Sequence, residues 1–153
     1  LGVKGSLYRQ KNIAFSFDCR LPEPLSLSGV TLCSLFTNVL DNAYHAVQSG
    51  VPELRRIDLS AYLVNGFLLL TCQNPIPPGS QPKLERRRKA EDGTQHGLGL
   101  LILQTIAEQH KGTMEIQTAN DIFQIRLLLQ LPASSTSPVP ASILPQKEGA
   151  TPV

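Results

Sequence analysis

Five short segments of this chain carry the period-two alternation or the continuous apolar run that is typical of β-strands. These segments are residues 13–19, 55–65, 67–74, 113–118 and 122–131. The second and third are predicted to form a hairpin, because Asn65-Gly66 between them supplies the positive φ angles of a two-residue turn. The last two are predicted to be joined by a turn at Asn120-Asp121.

Two other segments place their apolar residues with the period of an α-helix. The first begins near Ser28 or Thr31, either of which can cap a helix, and ends at Gly50. Its apolar stripe is Leu32, Leu35, Phe36, Val39, Leu40, Ala43 and Val47. The second opens with HGLGL, residues 96–100, and ends before Gly112. Its predicted packing side is Leu100, Leu101, Leu103, Ile106 and Ala107.

The order of these elements is strand, helix, hairpin, loop, helix, hairpin. It predicts a two-layer α/β sandwich in which a mixed sheet is covered by helices on one face, rather than a doubly wound parallel sheet. One domain is expected over residues 13–132. Residues 1–12 are interpreted as a linker into it or the end of a preceding helix, because the chain begins at Leu1 as a fragment of a larger protein would.

The loop between the hairpin and the second helix, residues 75–96, combines four prolines with a strongly basic run. A structureless connection of this length is uncommon inside a compact domain, so it is either a lid or a solvated charged segment. In a lid, Lys89 and the neighbouring basic residues could reach phosphate groups. Residues 133–153 are rich in proline and serine and are predicted to form a disordered tail.

Composition restricts the possible partners and the surroundings of the chain. A formal net charge of +2 on 153 residues is too small to indicate a nucleic-acid partner. The three cysteines, Cys19, Cys33 and Cys72, have neither zinc nor disulfide spacing, so we expect buried free thiols in a reducing cytosol. No apolar run approaches the roughly 20 residues that span a bilayer.

The first predicted helix carries a polar face beside its apolar stripe. Asn38, Asn42 and His45 fall within a sector of about 60°. Asparagine is a poor helix former, so two of them in mid-helix need a reason. Either they bond to neighbouring backbone or they form a ligand site, and this stretch alone favours neither.

The second helix opens with two glycines, Gly97 and Gly99, which are costly for a helix. Their use is close approach, because the free N–H groups and the positive dipole at a helix start attract anions.

Three sequence motifs now resemble a known family. TNVLDNAYHA at 37–46, QNP at 73–75 and HGLGL at 96–100 are similar to the N, G1 and G2 boxes of the ATP-binding domain that gyrase, heat-shock protein 90, histidine kinases and MutL-type proteins share. This is the GHKL group, with the Bergerat fold. Within it the chain looks most like the catalytic domain of sensor histidine kinases, and in particular the Agr-type quorum-sensing group.

The resemblance implies that ATP and Mg²⁺ are bound and assigns roles to residues. Asn42 would be the Mg²⁺ ligand, Asn38 a catalytic and ATP-binding side chain, and Asn74 the acceptor for the adenine amino group. The other expected ATP contacts are His45, Lys89, His96, Gly97, Leu98, Gly99 and Leu100. The family usually has aspartate followed by a Gly-x-Gly at the G1 box, whereas this chain has Asn74-Pro75, which should weaken adenine binding and stiffen the lid.

The implied activity is transfer of the ATP γ-phosphoryl group to a histidine on a separate dimerisation domain of the same protein. The implied downstream partner is a response regulator. Hydrolytic branches have a glutamate where this chain has Asn38, which cannot take a proton. Two alternatives stay open: an interaction module that binds nucleotide poorly, and a protein serine kinase of the anti-sigma type. We expect the fragment to be monomeric and to be the cytoplasmic part of a membrane-anchored sensor.

Overall fold

A computed structural model describes residues 2–80 and 98–132. The elements in chain order are α1 (Gly2–Gln10), β1 (Ala14–Arg20), α2 (Gly29–Gln48), a 3₁₀ turn (Pro52–Leu54), β2 (Arg56–Val64), β3 (Phe67–Pro75), α3 (Leu98–Gln109), β4 (Thr113–Ala119) and β5 (Ile122–Gln130). None of the helices in these residues is long and apolar enough to cross a membrane.

The five strands form one sheet in the order β1-β2-β3-β5-β4. β1 runs parallel to β2, and the other three pairs are antiparallel. Both predicted tight turns are present, because Asn65 and Gly66 have φ of 51° and 81°, and Asn120 and Asp121 have φ of 52° and 59°. The predicted mixed sheet of a two-layer α/β sandwich is therefore confirmed.

One face of the sheet is buried beneath the helices. Alternate residues of β2, β3 and β5 are buried on that face, in the pattern expected of strands with one covered side. The other face carries polar pairs. The Tyr62 hydroxyl donates to an Asp18 carboxylate oxygen at 2.6 Å, and this bond lowers the pKa of Asp18 below its usual value.

Helix α2 follows its sequence prediction closely. Ser28 is the N-cap, and its side chain accepts a hydrogen bond from the backbone N–H of Thr31 at 3.1 Å. Five members of the apolar stripe are buried, and Leu32 and Phe36 pack at its edge. The buried members are Leu35, Val39, Leu40, Ala43 and Val47.

Helix α3 differs from its prediction at one position of the packing side. Leu103, Ile106 and Ala107 are buried, whereas Leu101 is 59% exposed. Leu101 precedes Leu103 by two residues, which is about 200° around a helix, so it lies on the opposite side. The prediction for Leu101 was wrong because a run of consecutive leucines hides the helical period.

The end of α3 is a Schellman motif. The backbone N–H groups of Lys111 and Gly112 donate to the carbonyls of Glu108 at 3.1 Å and Ala107 at 2.8 Å. Lys111, with φ of 48°, takes the left-handed position that glycine usually occupies. Gly112 is needed for a different reason: a Cβ at this position would lie 1.8 Å from the carbonyl oxygen of Leu128.

Residues 2–10 form helix α1, and the role of this segment as a linker or as the end of a preceding helix stays a prediction. Tyr8 is 1% exposed, and its ring packs against Phe15 and Tyr44. Burial raises the pKa of the Tyr8 hydroxyl above its usual range. Lys4 forms an ion pair with Asp41 of α2. The boundaries of 13–132 for the domain stay a prediction, and most of the proposed lid and the whole tail lie outside the described residues.

The three cysteines are free but not equally buried. Cys72 is buried on β3, and burial raises the pKa of its thiol to about 12. Cys19 is half-buried, and burial raises its pKa as well. Cys33 is exposed, so the expectation of a buried thiol is wrong there. It lies in the second turn of α2, near the start of the helix.

Two neighbouring substitutions should have opposite effects on stability. Gly112→Ala should lower the free energy of unfolding by about 3 kcal/mol, because the added methyl meets backbone that cannot move away cheaply. Lys111→Gly should raise it by about 0.5 kcal/mol, because glycine adopts positive φ without strain. Urea unfolding measures both. Equal effects of the same sign would contradict the assigned geometry.

Candidate functional site

The polar face of α2 starts with Asn38, whose amide is partly satisfied within the helix. Its Nδ2 donates to the backbone carbonyl of Ser34 at 2.8 Å and lies 3.3 Å from the Ser34 hydroxyl. The interpretation of an internally bonded asparagine therefore holds for the donor side of Asn38. The acceptor oxygen Oδ1 points elsewhere.

Asn38 Oδ1 faces the start of α3. A Cβ built on Gly99 would lie 3.2 Å from this oxygen, closer than side chains normally approach. The absence of a side chain at Gly99 therefore lets α3 begin directly against the polar face of α2. The structure brings together two segments that the sequence places about 60 residues apart, as the N and G2 boxes would require.

Asn42 lies one turn after Asn38, about 6 Å farther along the same face. Its side chain is half-buried and makes no hydrogen bond with any of the described residues. Its neighbour Asp41 is engaged by Lys4. His45, the third member of the predicted face, is exposed and contacts the Tyr44 ring at 5.7 Å between centroids. Asn42 is thus the amide of this face with both ends available.

The G1-box asparagine ends the central strand β3. Asn74 is 2% exposed and is the buried polar residue of the described core. Its Nδ2 donates to the backbone carbonyl of Pro75 at 3.0 Å. Within residues 2–80 and 98–132, Asn74 Oδ1 accepts no hydrogen bond. The fully buried side-chain atom without a hydrogen-bond partner in these residues is Arg55 Nε. The Asn74 oxygen is thus an acceptor without a partner among the described residues, in a side chain that is 2% exposed.

The two ends of the site lie along α2. A narrow groove lies between the C-terminal end of α2 and the segment after β3, and its lining includes Val47, Pro75 and Ile76. Val47 follows Asn38 by nine residues, about 13 Å along the helix. The start of α3 and the segment after β3 therefore approach α2 at different positions along its length.

The first residues after β3 are fixed by the turn between β4 and β5. The backbone N–H of Ile76 donates to the Asp121 carbonyl at 2.8 Å, and the N–H of Gly79 donates to Asp121 Oδ1 at 3.3 Å. Sequence reasoning assigned Asp121 only to a turn. The sequence offers a Pro-Pro-Gly turn at residues 77–79 and an aspartate in the turn at residues 120–121. Nothing in the sequence links these two turns, because only the pairing of β3 with β5 brings them together.

The remaining predicted contacts fall into two groups. Lys89, His96 and Gly97 lie outside the described residues, so their roles stay predictions. Leu98 begins α3 and is exposed, and Leu100 packs at the edge of the core. Their proximity to Gly99 fits a place beside the site, but their predicted nucleotide contacts stay predictions.

The side chains of the described residues offer few ligands for a metal ion. The described residues contain no group of three His, Cys, Asp or Glu side chains that could enclose an ion. An available amide oxygen, such as that of Asn42, fits an ion like Mg²⁺ that keeps several waters and takes its other ligands from phosphates. The residues present therefore suit a metal that arrives with a nucleotide.

The sequence profile of the GHKL domain matches residues 27–130, a span that includes Asn38, Asn42, Asn74 and Gly99. This chain belongs to the GHKL family. The matched span begins after α1 and β1. A comparison with curated proteins finds no match.

Solved structures of histidine kinases share the fold of this GHKL chain. The histidine kinase AdeS of Acinetobacter baumannii is 16% identical with a TM-score of 0.64, over 86% of this chain and 60% of that one. A catalytic domain of the histidine kinase ThkA is 18% identical with a TM-score of 0.64, over 84% and 86%. A histidine kinase of Burkholderia phymatum is 14% identical with a TM-score of 0.58, over 85% of this chain and 64% of that one. The chain thus spans less than two thirds of the first and third of these proteins.

The two asparagines of α2 should differ in what they contribute to the fold. Asn42→Ala should raise the free energy of unfolding by about 0.5 kcal/mol, because alanine is the better helix former and no internal bond is lost. Asn38→Ala should gain no stability, because the bond to Ser34, worth about 1 kcal/mol, offsets that preference. Urea unfolding without nucleotide measures the difference. Equal effects would show that Asn42 is also internally bonded.

Proposed function

We propose that this chain is the ATP-binding catalytic domain of a sensor histidine kinase, which transfers the ATP γ-phosphoryl group to a histidine on a separate dimerisation domain of the same protein. The observation that carries the proposal is the amide of Asn42, which makes no hydrogen bond within residues 2–80 and 98–132 and lies one turn along α2 from the Asn38–Gly99 contact. The second polar position is Asn74, which is buried at the end of β3. This placement matches a ligand with a phosphate end and a base end.

The phosphate end is the start of α3. Backbone N–H groups in the first turn of a helix have no partners inside the helix, and the helix dipole adds partial positive charge there. Gly99 lets this turn lie against α2, so that Asn42 faces the same region. Asn42 Oδ1 would hold Mg²⁺, which neutralises phosphate charge when it is bound with the nucleotide. We include Lys89, His96, Gly97, Leu98, Leu100 and His45 among the proposed ATP contacts.

The base end is Asn74. Its Nδ2 is occupied by the Pro75 carbonyl, which leaves Oδ1 to accept a hydrogen bond from the adenine amino group. A neutral acceptor forms a weaker bond than the usual carboxylate. We therefore expect millimolar or high-micromolar affinity for ATP.

The chemistry that Asn38 supports is transfer rather than hydrolysis. A water molecule needs a base to activate it, and the Asn38 amide neither accepts a proton nor is free to reorient, since its Nδ2 is bonded to Ser34. Phosphoryl transfer depends mainly on positioning and charge neutralisation, which this arrangement can supply. Asn38 would thus orient the phosphate end rather than act as a base.

The full protein would add the parts that this chain lacks. The proposal includes a phosphoacceptor and dimerisation domain, a downstream response regulator, membership of the Agr-type group and a cytoplasmic position in a membrane-anchored sensor. The GHKL family match and the shared fold support it. The fixed segment after Asn74 favours one other candidate, an interaction module that binds nucleotide poorly.

Nucleotide binding should be visible as thermal stabilisation. MgATP at 5 mM should raise the Tm by several degrees, because a ligand that binds only the folded state stabilises it by mass action. Asn42→Ala should remove most of the shift without lowering the Tm of the free protein. Gln104→Ala, which removes an exposed amide from α3, is the matched control and should keep the shift.

Absence of any Tm shift with MgATP in the unaltered chain would reject the nucleotide site and leave the interaction module. The acceptor is tested separately. In the full-length protein, radiolabelled phosphate from ATP should appear on histidine, which is acid-labile. Acid-stable phosphoserine on a partner would instead indicate the kinase of the anti-sigma type.

A further inference from the structure

The peptide bond between Pro75 and Ile76 is held at both of its polar groups. Its carbonyl oxygen accepts from Asn74 Nδ2 at 3.0 Å, and its N–H donates to the Asp121 carbonyl at 2.8 Å. Asp121 Oδ1 also accepts from the N–H of Gly79 at 3.3 Å. This part of the chain therefore cannot rotate without breaking contacts with the β4–β5 turn.

A fixed Pro75 carbonyl determines how the Asn74 amide is oriented. The carbonyl is an acceptor only, so the Nδ2 end of Asn74 must face it and the Oδ1 end must face away. An aspartate at this position has no donor. One of its carboxylate oxygens would lie about 3 Å from the carbonyl oxygen, where two partial negative charges repel each other.

We infer that the Pro75–Ile76 peptide, fixed by the Asp121 turn, orients Asn74 as a hydrogen-bond acceptor that reads the 6-amino group of a purine. Asparagine is then the residue that this loop requires, and the aspartate usual in the family is incompatible with it. The inference rests on the proposed nucleotide site. Within that site, Asn74 contacts the base and Asp121 is a positioning residue.

The orientation of Asn74 predicts a preference between two nucleotides of the same shape. ATP presents an amino donor at position 6, whereas ITP presents an oxygen there, which would face the Asn74 oxygen without a hydrogen bond. Leaving a buried polar group unpaired costs more binding free energy than losing a simple contact, so the site should discriminate strongly against ITP. We expect ATP to bind at least about tenfold more tightly than ITP.

The first test restores the family's usual residue. Asn74→Asp should bind MgATP about tenfold more weakly than the unaltered chain, and no better than Asn74→Ala, in competition with a fluorescent ATP analogue. Circular dichroism confirms that each variant is folded. ATP affinity equal to or greater than that of the unaltered chain in Asn74→Asp would overturn the inference, although the proposed function would stand.

The second test does not alter Asn74 and decides the question even where Asn74→Asp fails to fold. Asp121→Gly keeps the positive φ and the backbone carbonyl but removes the bond to Gly79. It should lower the ratio of ATP to ITP affinity severalfold. Asn120→Gly changes the adjacent turn residue, also at positive φ, and is the matched control that should leave the ratio unchanged.

The affinity ratio is the decisive readout, because general destabilisation would weaken both nucleotides together. An unchanged ratio in Asp121→Gly would overturn the positioning role of Asp121. Failure of the unaltered chain to bind either nucleotide would instead reject the proposed function itself, so the two failures can be told apart.

Discussion

The close packing of α2 and α3 at Gly99 is the contact on which the proposed ligand site depends. Gly99 lies in the first turn of α3 against Asn38, and a Cβ there would lie 3.2 Å from the Asn38 oxygen, closer than most side-chain contacts. This contact aligns the free N–H groups at one helix start with the polar face of the other helix. Everything that the site offers to an anion follows from it, because Asn42 is useful only if phosphates are held within its reach.

The sheet places the other half of the site. β3 lies between β2 and β5, and its last residues, Asn74 and Pro75, pair with β5, so Asn74 is carried into the core at a defined position. The turn between β4 and β5 then holds the chain that leaves β3. The proposed base end of the site is therefore held by strand pairing and by this turn. The proposed phosphate end consists instead of the start of α3 and the basic loop that precedes it. Such a division suits a domain that holds one end of a nucleotide and presents the other.

Residue patterns were sufficient to predict the mixed sheet, both tight turns and the buried stripe of α2, because each depends on local spacing or on a turn that requires positive φ. Three features of the structure were not predicted from the sequence. Leu101 was misplaced because every neighbour is also apolar. Cys33 was misplaced because its exposure depends on how the start of α2 lies on the rest of the fold, and the role of Asp121 was missed because it depends on the pairing of β3 with β5. The family motifs assigned Asn38 and Gly99 to one ATP site, but the contact between them depends on how the two helices pack and could not be read from the sequence.

The central claim is that Asn42, Asn74 and Gly99 belong to one nucleotide site. The most direct measurement is a titration of the ¹⁵N-labelled chain with a nonhydrolysable MgATP analogue, followed through the side-chain amide signals of Asn42 and Asn74 and the backbone signal of Gly99. The account predicts that all three shift together along a single saturable curve, while the exposed amide of Gln104 does not move. Shifts confined to one of the three residues, or unrelated curves, would contradict it.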